Sequence, residues 1–177
     1  HVLIAMILFP MIWAFLAVPN LFEIILNSPK DSIYLAMLYG FLWGIGGIMF
    51  GVSVPYIGLS LTMGIVMGLA GSAGSLIPLF QIENASSQPS FPYIIGGLVI
   101  SLVGVAITAK AGIDRDKLIS TNNNSNNIVK GILIAVICGL LSSLLNVGFA
   151  NAAPIAEKAQ EYGVIARNSS LAAWVVV

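Results

Sequence analysis

Apolar residues run through this 177-residue chain in long blocks separated by short polar breaks. The blocks cover residues 2–19, 33–53, 57–80, 92–110 and 128–150, and another begins near residue 171. Each is close to the roughly 20 helical residues that cross a hydrocarbon core about 30 Å thick, so each predicts a transmembrane helix. The breaks between them, PNLFEIILNSPKDS, VPYIGLS, QIENASSQPSFP and DRDKLISTNNNSNN, carry prolines, charges and amides. None is long enough to hold a soluble domain. The Asn-rich tract at 122–127 reads as a low-complexity linker that needs no packed structure. The pattern therefore predicts an all-α, polytopic helical membrane protein in a single transmembrane domain.

Within the blocks the small residues are ordered. On a helix turning about 100° per residue, Gly40, Gly44, Gly47 and Gly51 fall on one stripe, and Gly64, Gly68, Gly71, Ser72 and Ser75 on another. A third seam of Gly131, Ala135, Cys138, Ser142 and Asn146 runs along the block at 128–150. Lipid gives little hydrophobic drive between helices, which associate instead where small residues let backbones approach closely. The stripes thus predict helix-packing faces, Gly40, Gly44, Gly47, Gly51, Gly64 and Gly68 foremost. The glycines of GFLWGIGGIMFG are not a dinucleotide fingerprint, because G-x-G-x-x-G starting at Gly44 needs a glycine where Met49 stands.

Two features beside these stripes have the chemistry of a binding site. Tyr39, Trp43 and Phe50 lie within about 40° of one another around the helix, and Gly46 falls between Trp43 and Phe50. Such an aromatic row with a gap holds a ring, or else it is an interfacial belt residue with two lipid-facing neighbours. The polar residues Ser142 and Asn146 must find partners inside the membrane or face a water-filled cavity. An interhelical hydrogen bond is the other reading of that seam.

Composition agrees with the blocks: 58% of residues are hydrophobic and 8% charged, with a mean hydropathy of +0.99. Seven basic and seven acidic residues cancel, so nothing in the overall charge favours a nucleic-acid partner. The single cysteine, Cys138, offers neither a disulfide framework nor a metal-ligand cluster, and no metal or cofactor is expected. Serines with only apolar neighbours, and a lone cysteine without a histidine to activate it, give no nucleophile, so an enzyme is not expected.

No Asp, Glu, Lys or Arg lies well inside a block, although intramembrane carboxylates are the usual proton relays. Among the border residues Glu157 and Glu23 are candidates for a proton-coupling role, the competing reading being a solvated interfacial charge. Lys110, Arg115, Lys117 and Lys130 flank one side of the spans, against Lys30, Lys158 and Arg167 on the other, which orients the 110–130 break to the cytoplasm. The triplets Asn84-Ala85-Ser86 and Asn168-Ser169-Ser170 match a glycosylation sequon and are assigned no role. The chain opens on His1 and ends in the apolar LAAWVVV, and is read as a fragment; the first block lacks the basic flank of a signal peptide.

The stretch YGFLWGIGGIMFGVSVPYIGLSLTMGIVMGLAGSAGSLIPLF at 39–80 resembles the bacterial L-rhamnose/proton symporter family of the drug/metabolite transporter superfamily. Trp43, Gly44, Ile45 and Gly46 match the family's Trp-Gly-Ile-Gly run. Tyr56, Gly58, Ser60, Gly64, Gly68 and Pro78 match its Tyr-x-Gly-x-Ser turn and the glycine-rich span that follows. KGILIAVICGLLSS and NAAPIAEKAQEYG, with Asn151, Pro154 and Glu157, resemble what lies downstream. Pro55 departs from the family, which often has a basic residue there.

The resemblance implies a ten-span transporter of two inverted five-helix repeats that moves a deoxyhexose inward with a proton across the bacterial inner membrane. This chain would then hold spans two to six and the start of the seventh. A sugar needs an aromatic face for its C–H side and amide or hydroxyl groups for its hydroxyls. Trp43 is the expected wall, Asn146 and Ser142 the expected hydrogen-bonding groups, and Tyr39 the rim. The competing functions are an exporter or exchanger of another small metabolite, and a membrane scaffold subunit that transports nothing.

Overall fold

A computed structural model describes residues 8–81, 85–119 and 125–177. All regular structure among them is helical: α1 (Phe9–Ala17), α2 (Leu21–Leu26), α3 (Lys30–Ile57), α4 (Leu59–Gln81), a 3-10 turn at Ala85–Ser87, α5 (Phe91–Ile119), α6 (Ser125–Asn151), α7 (Ala153–Glu161) and α8 (Ala166–Val176). Among the described residues, four stretches are long and apolar enough to cross a membrane: Lys30–Ile57, Leu59–Ile77, Phe91–Gly112 and Ile128–Glu161. They overlap the apolar blocks at 33–53, 57–80, 92–110 and 128–150, the last running eleven residues further. Of the first block, residues 9–17 form α1 with Pro10 in its opening turn, and residues 2–7 lie outside the described residues.

The helices overrun the apolar blocks where nothing stops them. α5 continues to Ile119 through residues read as loop, because the only breaker after Lys110 is Gly112. α6 starts at Ser125, so Asn126 and Asn127 are helical and the linker assigned to them is corrected; Asn122, Asn123 and Asn124 lie outside the described residues. α6 stops at Asn151 because Pro154 in the next turn has no N–H to bond back to Ala150.

By backbone contacts the chain forms two compact units, His1–Phe41 with Val147–Val177, and Leu42–Asn146. In the first, α1, α2, α7 and α8 enclose a core of Ala14, Val18, Leu21, Ile24, Ile155, Ala159, Ala172 and Ala173. Half of these are alanines, which let the helices approach closely. In the second, Ile57, Leu61, Ile65, Val66, Ala135 and Cys138 are buried together. There α4 lies along α5, with Gly64 against Thr108 and Gly68 against Val105.

The joint between α3 and α4 is fixed by one glycine and two hydroxyls. Gly58 sits at φ +76°, a left-handed conformation that side-chain-bearing residues seldom adopt. The Thr62 hydroxyl donates to the Gly58 carbonyl at 2.8 Å, and Ser53 Oγ lies 3.3 Å from Thr62 Oγ1, both fully buried. Gly58→Ala is expected to destabilise the folded protein by about 1–2 kcal/mol through backbone strain alone, seen as a lower melting temperature in detergent.

Candidate functional site

The site is built where α6 crosses α3 and α4 in the second unit. An added Cβ on Gly46 would lie 3.1 Å from Leu141 Cβ and 3.3 Å from Ser142 Oγ, and one on Gly131 would meet Tyr56 and Ile57. Gly46 on α3 thus faces residues 141–142 of α6, while Tyr56 near the end of α3 faces Gly131 near the start of α6. The two helices run antiparallel, and by this register Trp43 falls level with Leu144 and Leu145, between Ser142 and Asn146 along α6.

Gly46 is accordingly a packing glycine. The gap expected between Trp43 and Phe50 is filled by the backbone at Ser142, and the Cys138 thiol donates to the Gly46 carbonyl at 3.1 Å. The stripe expected to pack divides instead. Gly40 is buried against the Val177 backbone, whereas a Cβ added at Gly44, Gly47 or Gly51 meets nothing within 4 Å among the described residues. The physical reason is that α6 approaches α3 along the line of Gly46, Ser53 and Ile57, rotated from the stripe of four glycines.

Ser142 is half-buried, with its hydroxyl 3.9 Å from the Cys138 sulfur. Asn146, one turn further on, is exposed, and its side chain makes no hydrogen bond among the described residues. Its amide leans over Gly74 of α4, in the space where a side chain would otherwise stand. In hydrocarbon an amide without a hydrogen bond costs several kcal/mol, so Asn146, which has none among the described residues, is a candidate for contact with water or a polar ligand. Trp43 is half-buried on α3.

Sequence reasoning took Ser72 and Ser75 as a packing stripe and overlooked Ser101. They line a groove of about 230 Å³ between α4 and α5, with Gly71, Gly97 and Leu98. Ser72 donates to Ser101 at 3.1 Å, while Ser75 bonds back to the Gly71 carbonyl at 2.8 Å. The available signal was the small residue in VISLVG, at the depth where α5 passes Ser72.

Tyr39 and Glu157 belong to the first unit. Tyr39 is half-buried, its Cβ 3.2 Å from the position a Cβ on Gly148 would take. Glu157 is exposed on α7, and Glu23 on α2. The neighbouring Lys158 and Glu161 form an exposed ion pair at 2.7 Å. No group of three or more metal-ligating side chains occurs among the described residues.

A family model described as L-rhamnose-proton symport protein matches residues 1–177. An L-rhamnose-proton symporter of Mannheimia succiniciproducens is 31% identical over 151 residues, covering 84% of this chain and 44% of that protein. One of Yersinia pestis bv. Antiqua is 26% identical over 178 residues, covering 99% of this chain and 52% of its own length. The chain spans about half the length of the curated relatives it matches. No solved structure matches it.

Proposed function

The chain belongs to the L-rhamnose-proton symport protein family, and from that premise we propose that it contributes the sugar-binding half-site of a secondary transporter importing L-rhamnose with a proton. The whole transporter has ten spans in two inverted five-helix repeats, works by alternating access and resides in the bacterial inner membrane. Asn146 carries the site assignment: a transmembrane amide, exposed and without a hydrogen bond among the described residues, held in the space over Gly74. A sugar hydroxyl supplies the partner that hydrocarbon cannot.

In this reading Trp43 stacks on the C–H face of the ring. Asn146 donates through its amide N–H₂ and accepts through its carbonyl, while the Ser142 hydroxyl does either as it rotates. Each group binds without moving far, since α3 and α6 are locked together at Gly46 and Gly131. Protonation is assigned to a carboxylate at the end of a span, with Glu157 the candidate in this chain.

Sealed vesicles containing the complete protein test the coupling. Adding L-rhamnose to the outside is expected to draw protons inward and raise the external pH, and a protonophore to abolish the change. A rhamnose addition that leaves the external pH flat would overturn the symport reading and favour an exporter of another metabolite.

A further inference from the structure

The first unit holds an aromatic groove of about 380 Å³ that the proposed transport site does not use. One wall is Phe9 and Trp13 of α1, stacked with ring centroids 6.3 Å apart. The other is Trp174 of α8, whose ring lies 5.3 Å from that of Phe149. Arg167 and Ser170 stand on the same side of α8, since positions 167, 170, 171 and 174 repeat at helical spacing.

Arg167 makes no ion pair among the described residues, and Glu161, the nearest acid before it in sequence, is taken by Lys158. Phe9 is 63% and Trp13 50% exposed. From the polar turn before α8 the helix runs into the apolar LAAWVVV, so Arg167 marks the headgroup end of the groove. Seven residues on, about 10 Å deeper at 1.5 Å per residue, Trp174 lies at the depth of acyl chains.

We propose that this groove is a binding site for an anionic phospholipid, whose phosphate pairs with Arg167 and accepts from the Ser170 hydroxyl while an acyl chain lies between Trp13 and Trp174. Charge complementarity decides between the ligands that fit. A zwitterionic lipid brings its own cation to an already cationic site. A sugar would leave most of its hydroxyls against carbon, because beyond Arg167, Ser170 and the two indole N–H groups the side chains of the lining are hydrocarbon.

The test uses the complete protein in phosphatidylcholine nanodiscs titrated with brominated-chain phosphatidylglycerol or brominated-chain phosphatidylcholine. Trp174 is read as the difference in quenching between the wild type and Trp174→Phe. Brominated phosphatidylglycerol is expected to quench Trp174 at a several-fold lower mole fraction than brominated phosphatidylcholine, Arg167→Gln to erase that difference, and inorganic phosphate to leave it unchanged.

Equal quenching by the two lipids in the wild type, or a preference that survives Arg167→Gln, overturns the proposal. So does a Trp174 that neither lipid reaches, which means protein covers the groove, or one that L-rhamnose protects. Displacement by inorganic phosphate also overturns it, since the site is then for a free anion. Should Trp174→Phe fail to fold, native mass spectrometry of the wild type and Arg167→Gln supplies the same comparison. More phosphatidylglycerol retained by the wild type supports the site, and equal retention overturns it.

Discussion

Asn146→Ala in the complete protein is expected to weaken L-rhamnose binding by about 10- to 100-fold, the effect of losing about 1.5–3 kcal/mol of hydrogen bonding in a desolvated site. The folded protein should survive the change, because the amide makes no hydrogen bond among the described residues. Trp43→Ala is expected to cost about tenfold through the lost stacking face. Isothermal titration or tryptophan-independent scintillation binding with radiolabelled rhamnose checks both.

A second variant separates a ligand role from a structural one. In Gly74→Ala the new methyl occupies the place where the Asn146 amide now rests and turns that amide away. Gly74→Ala should therefore lower rhamnose affinity while Asn146 itself is intact. Unchanged affinity in Asn146→Ala, with normal expression and melting behaviour, rules out the assigned site.

The largest effect on stability is expected from Gly131→Ala. A Cβ there would stand 2.5 Å from Tyr56 Cβ and 2.6 Å from Ile57 Cγ2, atoms close to the backbone that cannot swing aside. Helices α3 and α6 must then separate, at an overpacking cost of about 1–3 kcal/mol. Gly44→Ala and Gly47→Ala meet nothing within 4 Å among the described residues and are expected to be neutral or to stabilise by up to about 1 kcal/mol, the helix propensity difference between the two residues. Melting temperatures of the three variants in one detergent give the comparison. A Gly131→Ala protein as stable as Gly44→Ala would refute the α3–α6 contact.

The contrast between these glycines marks how far the sequence could be read. Lengths of apolar runs gave the long helices, because hydrocarbon thickness sets a span's length regardless of its neighbours. Stripe geometry could find faces of small residues but could not say which face a neighbour uses. Gly46, isolated on the helical wheel beside Trp43, is a contact with α6, while Gly44, Gly47 and Gly51 meet no neighbour among the described residues. That choice depends on the crossing of α3 with α6, which the pattern along either helix alone does not contain.

The polar seam was more legible. Asn146 stood out because an amide is costly in lipid wherever the neighbours lie, and its position over Gly74 supplies the detail that sequence lacked. Ser101 was missed because one serine among Val, Ile and Leu has meaning only with Ser72 opposite it. The groove of α1 and α8 was overlooked although Arg167, Ser170, Leu171 and Trp174 keep helical spacing, because its two walls are over 150 residues apart in sequence.

The joint at Gly58 has a consequence for the entropy of assembly. Ser53 and Thr62 are nine residues apart, so their hydrogen bond closes a short loop at small entropic cost. Gly131 meets Tyr56 only after some 75 further residues exist. The α3–α4 joint is thus the contact that costs less chain entropy to close, and the register of α6 on α3 the one that costs more.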